Sequence, residues 1–152
     1  MDIRSRALRY LNDRMCSAHQ MKDYLRRKGY EDEEIDPVIE ELKEYHYIDD
    51  LKYASAFMEA GFEKGRGIGR IKRELRAKGV DPETIAFAEE ALENIPDEKE
   101  VAMKLGRSLV DGIDIESLDR KEKEAFKGKI ARRLASRGFS TDTIYSVIGR
   151  LF

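Results

Sequence analysis

Three stretches of the chain carry the same pattern of apolar positions. Met21 and Leu25, Ile71 and Leu75, and Ile130 and Leu134 are apolar pairs four residues apart. Three residues past each leucine stands a cation (Lys28, Lys78, Arg137), and next to it a glycine (Gly29, Gly79, Gly138). A bulky apolar residue follows each glycine (Tyr30, Val80, Phe139), and an isoleucine stands six positions past it (Ile35, Ile85, Ile144). Apolar residues then continue at helical spacing: Val38, Ile39 and Leu42; Ala88 and Leu92; Val147, Ile148 and Leu151.

Spacings of three and four residues mark one buried face of a helix, before the glycine and again after it. Glycine at a helix end adopts the left-handed conformation of a C-cap without a Cβ penalty. The cation beside it suits the negative end of the helix dipole. Asp81 followed by Pro82 reads as an N-cap with proline in the first turn, and Ser140 holds the same place in the last stretch. A further amphipathic helix is expected before each pair, over residues 5–13, 50–63 and 98–110. The pattern therefore predicts an all-α fold of about nine helices and no strands. It predicts three tandem three-helix repeats, spanning 1–49, 50–96 and 97–152, that stack into an elongated, curved body. The glycines are 50 and then 59 residues apart, which places an insertion in the last repeat, near 111–119.

The middle stretch carries a more specific signal. Asp49, Asp50, Tyr53, Ala54 and Phe57, followed by Gly67, Arg70, Ile71, Glu74, Leu75, Lys78, Gly79 and Val80, resemble the signature of the RecX family, regulators of the bacterial RecA recombinase. The resemblance covers nearly the whole chain, because RecX proteins are three tandem three-helix repeats. It implies a non-catalytic regulator in DNA repair, recombination and the SOS response. Such a protein binds the RecA–DNA filament in its groove and inhibits filament growth, ATP hydrolysis and strand exchange. Single- or double-stranded DNA within the filament is a further implied contact. One position departs from the family pattern: relatives usually carry arginine four residues after Phe57, and here that residue is Gly61. The chain begins almost at the first repeat, so the extra N-terminal segment of some relatives is not expected.

Charge narrows where contact would occur. Of the 152 residues, 39% are charged, yet the net charge is only −2, which fits solvated helix faces. Residues 64–78 hold seven cations against Glu74, and residues 31–50 hold ten anions against Lys43. The second helix of each repeat is thus basic and the third leans acidic, so an anionic partner would be drawn to the second helices. Arg66, Arg70 and Arg73 are spaced to share a helix face without an acid. Arg70, Glu74 and Lys78 form an ordinary ion-pair ladder. The expected partner-binding residues are Arg66, Arg70, Lys72, Arg73 and Arg76, with Lys22, Arg26 and Arg27 before them and Arg132 and Arg133 after.

Other chemistry is weakly represented. Gly65, Gly67 and Gly69 follow no strand and precede no Walker lysine and serine, so they do not read as a phosphate cradle. His19 and His46 lack the spacing of metal ligands, and His46 reads as a helix-end residue. Cys16 stands alone, which excludes an internal disulfide and suits a reduced cytoplasmic protein. No secretory signal or membrane span is expected. The tyrosines read mostly as core. The expectation is therefore a monomer without catalytic site, cofactor or metal. The alternative is a helical-repeat module that binds DNA directly, against which the pI of about 5.8 argues.

Overall fold

The computed structural model describes residues 1–92 and 97–152; the expected boundary between residues 96 and 97 adjoins residues outside that description. The described residues form nine α-helices, one short 3₁₀ turn and no strand. The helices are α1 Ile3–Asp13, α2 Ala18–Arg27, α3 Asp32–Glu44, α4 Asp50–Glu63 and α5 Ile68–Ala77. They continue as α6 Pro82–Glu90, α7 Glu98–Leu109, α8 Arg120–Ser136 and α9 Thr141–Leu151, with the 3₁₀ turn at Ile115–Ser117.

The three glycines end α2, α5 and α8 in one geometry. Gly29, Gly79 and Gly138 have φ of +96°, +84° and +90°. Each amide donates back to the helix at 3.0 Å, to the carbonyls of Arg26, Arg76 and Ala135. The next amide reaches one turn further: Tyr30 to Leu25 at 3.2 Å, Val80 to Leu75 at 3.1 Å and Phe139 to Leu134 at 3.2 Å. This pair of bonds is the Schellman motif, which a residue with a side chain adopts only under strain. The starts of the following helices are capped as their sequences direct. Asp81 accepts from the Thr84 amide at 2.7 Å, and Ser140 accepts from the Thr143 amide at 3.2 Å. Hydrogen bonding at the Thr84 amide also holds the Asp81 carboxyl below its ordinary value.

The chain forms two compact units, and the division falls inside α4 and α5. One unit comprises Met1–Met58 and Arg73–Leu92. Its core gathers Ala7, Met21, Leu25, Ile35, Leu42 and Ile48, so the apolar faces of α1, α2 and α3 close on one another. Tyr53 at the start of α4 is buried and stacks on Phe57 at 6.1 Å. Ser17 is fully buried; with Gln20 it builds a capping box at the start of α2.

The other unit comprises residues 59–72 and, among the described residues, 97–152. Ala102, Met103, Ile130, Leu134, Phe139 and Val147 form its core, where α7, α8 and α9 meet. Helix α8 spans 17 residues, against 10 each for α2 and α5. Part of the added length of the last stretch therefore lies in the first turns of α8, and part in the connection around Gly112 and the 3₁₀ turn. Gly61 is buried in this unit: a Cβ there would stand 2.7 Å from Cδ1 and 2.8 Å from Cγ1 of Ile71. An arginine at this place, which the family resemblance leads one to expect, would need Ile71 to move.

Candidate interaction surface

The basic helices supply the candidate residues, and their local packing sorts them. On α2, Arg26 makes a two-pronged pair with Asp32, at 2.8 Å through Nε and 2.9 Å through the second amino group. That bond holds the Asp32 carboxyl below its ordinary value and raises Arg26. Lys22 pairs with Asp36 at 3.1 Å. Both cations thus tie α2 to α3. Arg27, exposed like Arg26, lines two open grooves. In the same unit Arg73 and Arg76 on α5 are exposed.

The residues of the other unit behave differently. Arg66 lies two residues before α5, outside the helix, so it does not extend a helical face with Arg70. It borders a small apolar cavity of about 50 Å³, beside Phe62, Ile68, Val101, Phe139 and Glu98. Arg70 is half-buried and lies against Gly138, and its guanidinium donates to the Ser136 carbonyl at 3.4 Å. Lys72 is half-buried, while Arg132 and Arg133 on α8 are exposed.

A feature that charge counting missed lies on the first unit. Tyr10 and Tyr24 stack with ring centroids 3.9 Å apart. Arg14 covers the outer face of this pair at 4.5 Å from the Tyr10 centroid, and Lys28 stands 5.7 Å from that of Tyr24. The tyrosines are half-buried and pack against the core of this unit. Each cation follows its tyrosine by four residues, which puts the two on one helix face; that spacing was readable in the sequence. Open grooves of about 540 and 500 Å³ share Tyr10 and Arg27, one extending to Glu74 and Lys78 and the other to Arg9 and Arg14.

His46, Tyr47, Met15 and Lys52 line a third groove of about 240 Å³. His46 follows the C-cap of α3 with φ of +62°, in the position that glycine holds elsewhere. Tyr45 and Tyr47 beside it are 61% and 60% exposed, which separates them from the core tyrosines. Cys16 reaches this groove but is buried, and burial, aided by the charge of Asp50, pushes its thiol up to about 11. His19 pairs with Asp23 at 3.3 Å. Among the described residues no three histidine, cysteine or acidic side chains cluster as metal ligands would, and no helix is long and apolar enough to cross a membrane.

Comparison with known proteins gives these surfaces a family. The chain is 34% identical over 148 residues to the protein named regulatory protein RecX of Bacillus licheniformis, covering 94% of this chain and 52% of the relative. It is 33% identical to the RecX of Clostridium botulinum strain Alaska E43, covering 95% of this chain and 66% of the relative. The chain thus spans between half and two thirds of these relatives. A crystal structure of regulatory protein RecX superposes with a TM-score of 0.81 at 25% identity, over 97% of this chain and 71% of that one. That of RecX from Lactobacillus salivarius gives 0.79 at 23% identity, over 98% and 94%. The family model for the first three-helix domain of RecX matches residues 4–42, and that for the second matches residues 49–88. These matches fall on α1–α3 and α4–α6, and the chain belongs to the RecX family.

Proposed function

We propose that the chain is a non-catalytic regulator that binds the RecA–DNA filament and inhibits filament growth, ATP hydrolysis and strand exchange, in DNA repair, recombination and the SOS response. It acts as a monomer in the cytoplasm, and α7–α9 serve as a third three-helix unit, 97–152, beside units 1–49 and 50–96. The observation that carries this reading is the set of exposed cations on the glycine-capped second helices: Arg27, Arg73 and Arg76 in one compact unit, Arg132 and Arg133 in the other. Cations on rigid helices meet an anionic partner at low entropic cost, and several modest contacts add through effective concentration. Lys22 and Arg26 in the first unit, which also brace α2 against α3, and Arg66, Arg70 and Lys72 in the second are further proposed contacts. Holding neighbouring RecA subunits at several points blocks subunit addition and the motions coupled to ATP turnover.

A second reading, direct binding of single-stranded DNA, is favoured by Arg9, Arg14, Arg27 and Lys28, which line one open groove beside Tyr10 and Tyr24, since a cationic groove follows a phosphate backbone. One pair of measurements separates the two. The single-strand-dependent ATPase of RecA is titrated with this protein at sub-stoichiometric ratios, and anisotropy of a bare labelled oligonucleotide is followed at physiological salt. Inhibition without tight binding to bare DNA supports the regulator; tight binding without RecA supports the second reading.

A further inference from the structure

Two joints in the molecule are built from one contact. In the first compact unit Ser17, at the start of α2, donates its hydroxyl to the carbonyl of Lys78 at 2.6 Å. A Cβ placed on Gly79 would collide with the Cβ of His19 in the first turn of α2. In the second unit the amide of Gly67, just before α5, donates to the carbonyl of Arg137 at 2.7 Å. A Cβ placed on Gly138 would collide with the Cβ and backbone of Arg70 in the first turn of α5. Each time, the first turn of a helix sits on a glycine C-cap, and a donor from a small residue reaches the carbonyl just before that glycine. The positive end of one helix thereby meets the negative end of another.

The third glycine cap has the same Schellman bonds and the same left-handed φ, yet among the described residues no helix sits on it. Among the described residues no hydrogen bond reaches the Lys28 carbonyl, and nothing lies within 4 Å of a Cβ built on Gly29. The filled joints define what fits this end of α2: a helix start with a small residue and a donor pointing outward. Arg27 and Lys28, both exposed at this end, add a preference for acidic side chains in the incoming first turn. The corresponding helix start of a second copy is not offered. Those of α2 and α5 are already engaged, and α8 runs on through Phe126, the position that corresponds to Ser17 and Gly67.

We infer that the Lys28–Gly29 end of α2 is a docking socket that takes the acidic N-terminal turn of a helix from a protein partner. The inference rests on the reading above, and the helix is one presented by RecA in the filament. The partner's first turn donates to the Lys28 carbonyl as Ser17 and Gly67 donate at the two filled joints.

The test uses the full chain and RecA assembled on single-stranded DNA. A photo-crosslinking amino acid in place of Lys28 is expected to capture RecA at the first turn of one of its helices, read by mass spectrometry. The double variant Arg27→Glu, Lys28→Glu is expected to fold with a lowered melting temperature, since it loses the helix-end cations and the Lys28–Tyr24 contact, and to bind the filament about tenfold more weakly when both proteins are compared well below their melting temperatures. If the parent chain fails to bind the filament, the functional reading and the inference fall together. If the parent binds and the folded double variant binds equally, the inference alone is overturned. Cross-links to DNA, to a RecA strand or to a second copy of this chain overturn it as well.

Discussion

The amide of Gly67 donates to the carbonyl of Arg137 at 2.7 Å, and the space where a Cβ on Gly67 would stand lies 2.6 Å from the carbonyl carbon of Gly138. Backbone meets backbone at this joint, so no flexible side chain is available to yield. Gly67→Ala is therefore expected to destabilise the protein by about 1–3 kcal/mol, the usual cost of overpacking. Urea unfolding with an unchanged midpoint would show that the joint adapts freely.

Ser17 makes the matching joint with a side chain. Its hydroxyl donates to the Lys78 carbonyl and accepts from the Gln20 amide at 3.1 Å. Ser17→Ala removes both partners at a fully buried site, and a lost N-cap together with an orphaned carbonyl costs about 1–3 kcal/mol. Loss of that size in chemical denaturation is expected; parity with the parent would mean that the hydroxyl is dispensable.

Gly29, Gly79 and Gly138 were legible as helix caps because a glycine set between a cation and an apolar residue, at the end of a helical spacing, leaves a local signature. Helix starts at Asp81 and Ser140 were legible for the same reason: capping is decided within four residues. The joints were not, because Ser17 and Lys78 are 61 residues apart and only packing brings them together. Arg66 shows the corresponding limit at the candidate surface. Spacing placed it on a face with Arg70 and Arg73, but the glycines around it hold it outside α5, while the Arg70 guanidinium turns to the Ser136 carbonyl. The Tyr10–Tyr24 stack joins two helices, so residue spacing within either helix could not show that the rings meet.

His46 tests the cap rule from the other side. It ends α3 at φ of +62°, where the Tyr47 amide donates to the Leu42 carbonyl at 2.8 Å. A left-handed residue with a Cβ carries strain that glycine would relieve, partly offset by the greater freedom of glycine in the unfolded chain. His46→Gly is expected to stabilise the fold by about 1 kcal/mol, seen as a higher melting temperature. A lower one would mean that the imidazole contributes more than the strain costs.

Cys16 gives a prediction in pH. Its thiol is raised from an ordinary value of 9.0 to about 11 by burial. The unfolded chain therefore releases the thiol proton first as pH rises, so this contribution to stability is complete below pH 9 and is lost between 9 and 11. At pH 8 the native thiol is neutral and covered, and iodoacetamide should label it far more slowly than in urea. Equal labelling rates in native and denatured protein would contradict the burial.

The arginines of α5 separate structure from function. Arg70 packs on Gly138 and bonds Ser136, so Arg70→Glu mixes loss of a contact with damage to the joint. Arg73 and Arg76 are exposed, and surface substitutions of this kind usually change stability by about 0.5 kcal/mol or less. The pair Arg73→Glu, Arg76→Glu is therefore expected to melt with the parent and, under the proposed function, to inhibit the RecA ATPase about tenfold more weakly, because each reversal turns an attraction to an anionic partner into repulsion. Full inhibition by the folded variant would remove this part of α5 from the docking surface and leave the cations of α2 and α8 to carry it. A variant that fails to fold would instead reveal a structural role for these two exposed side chains.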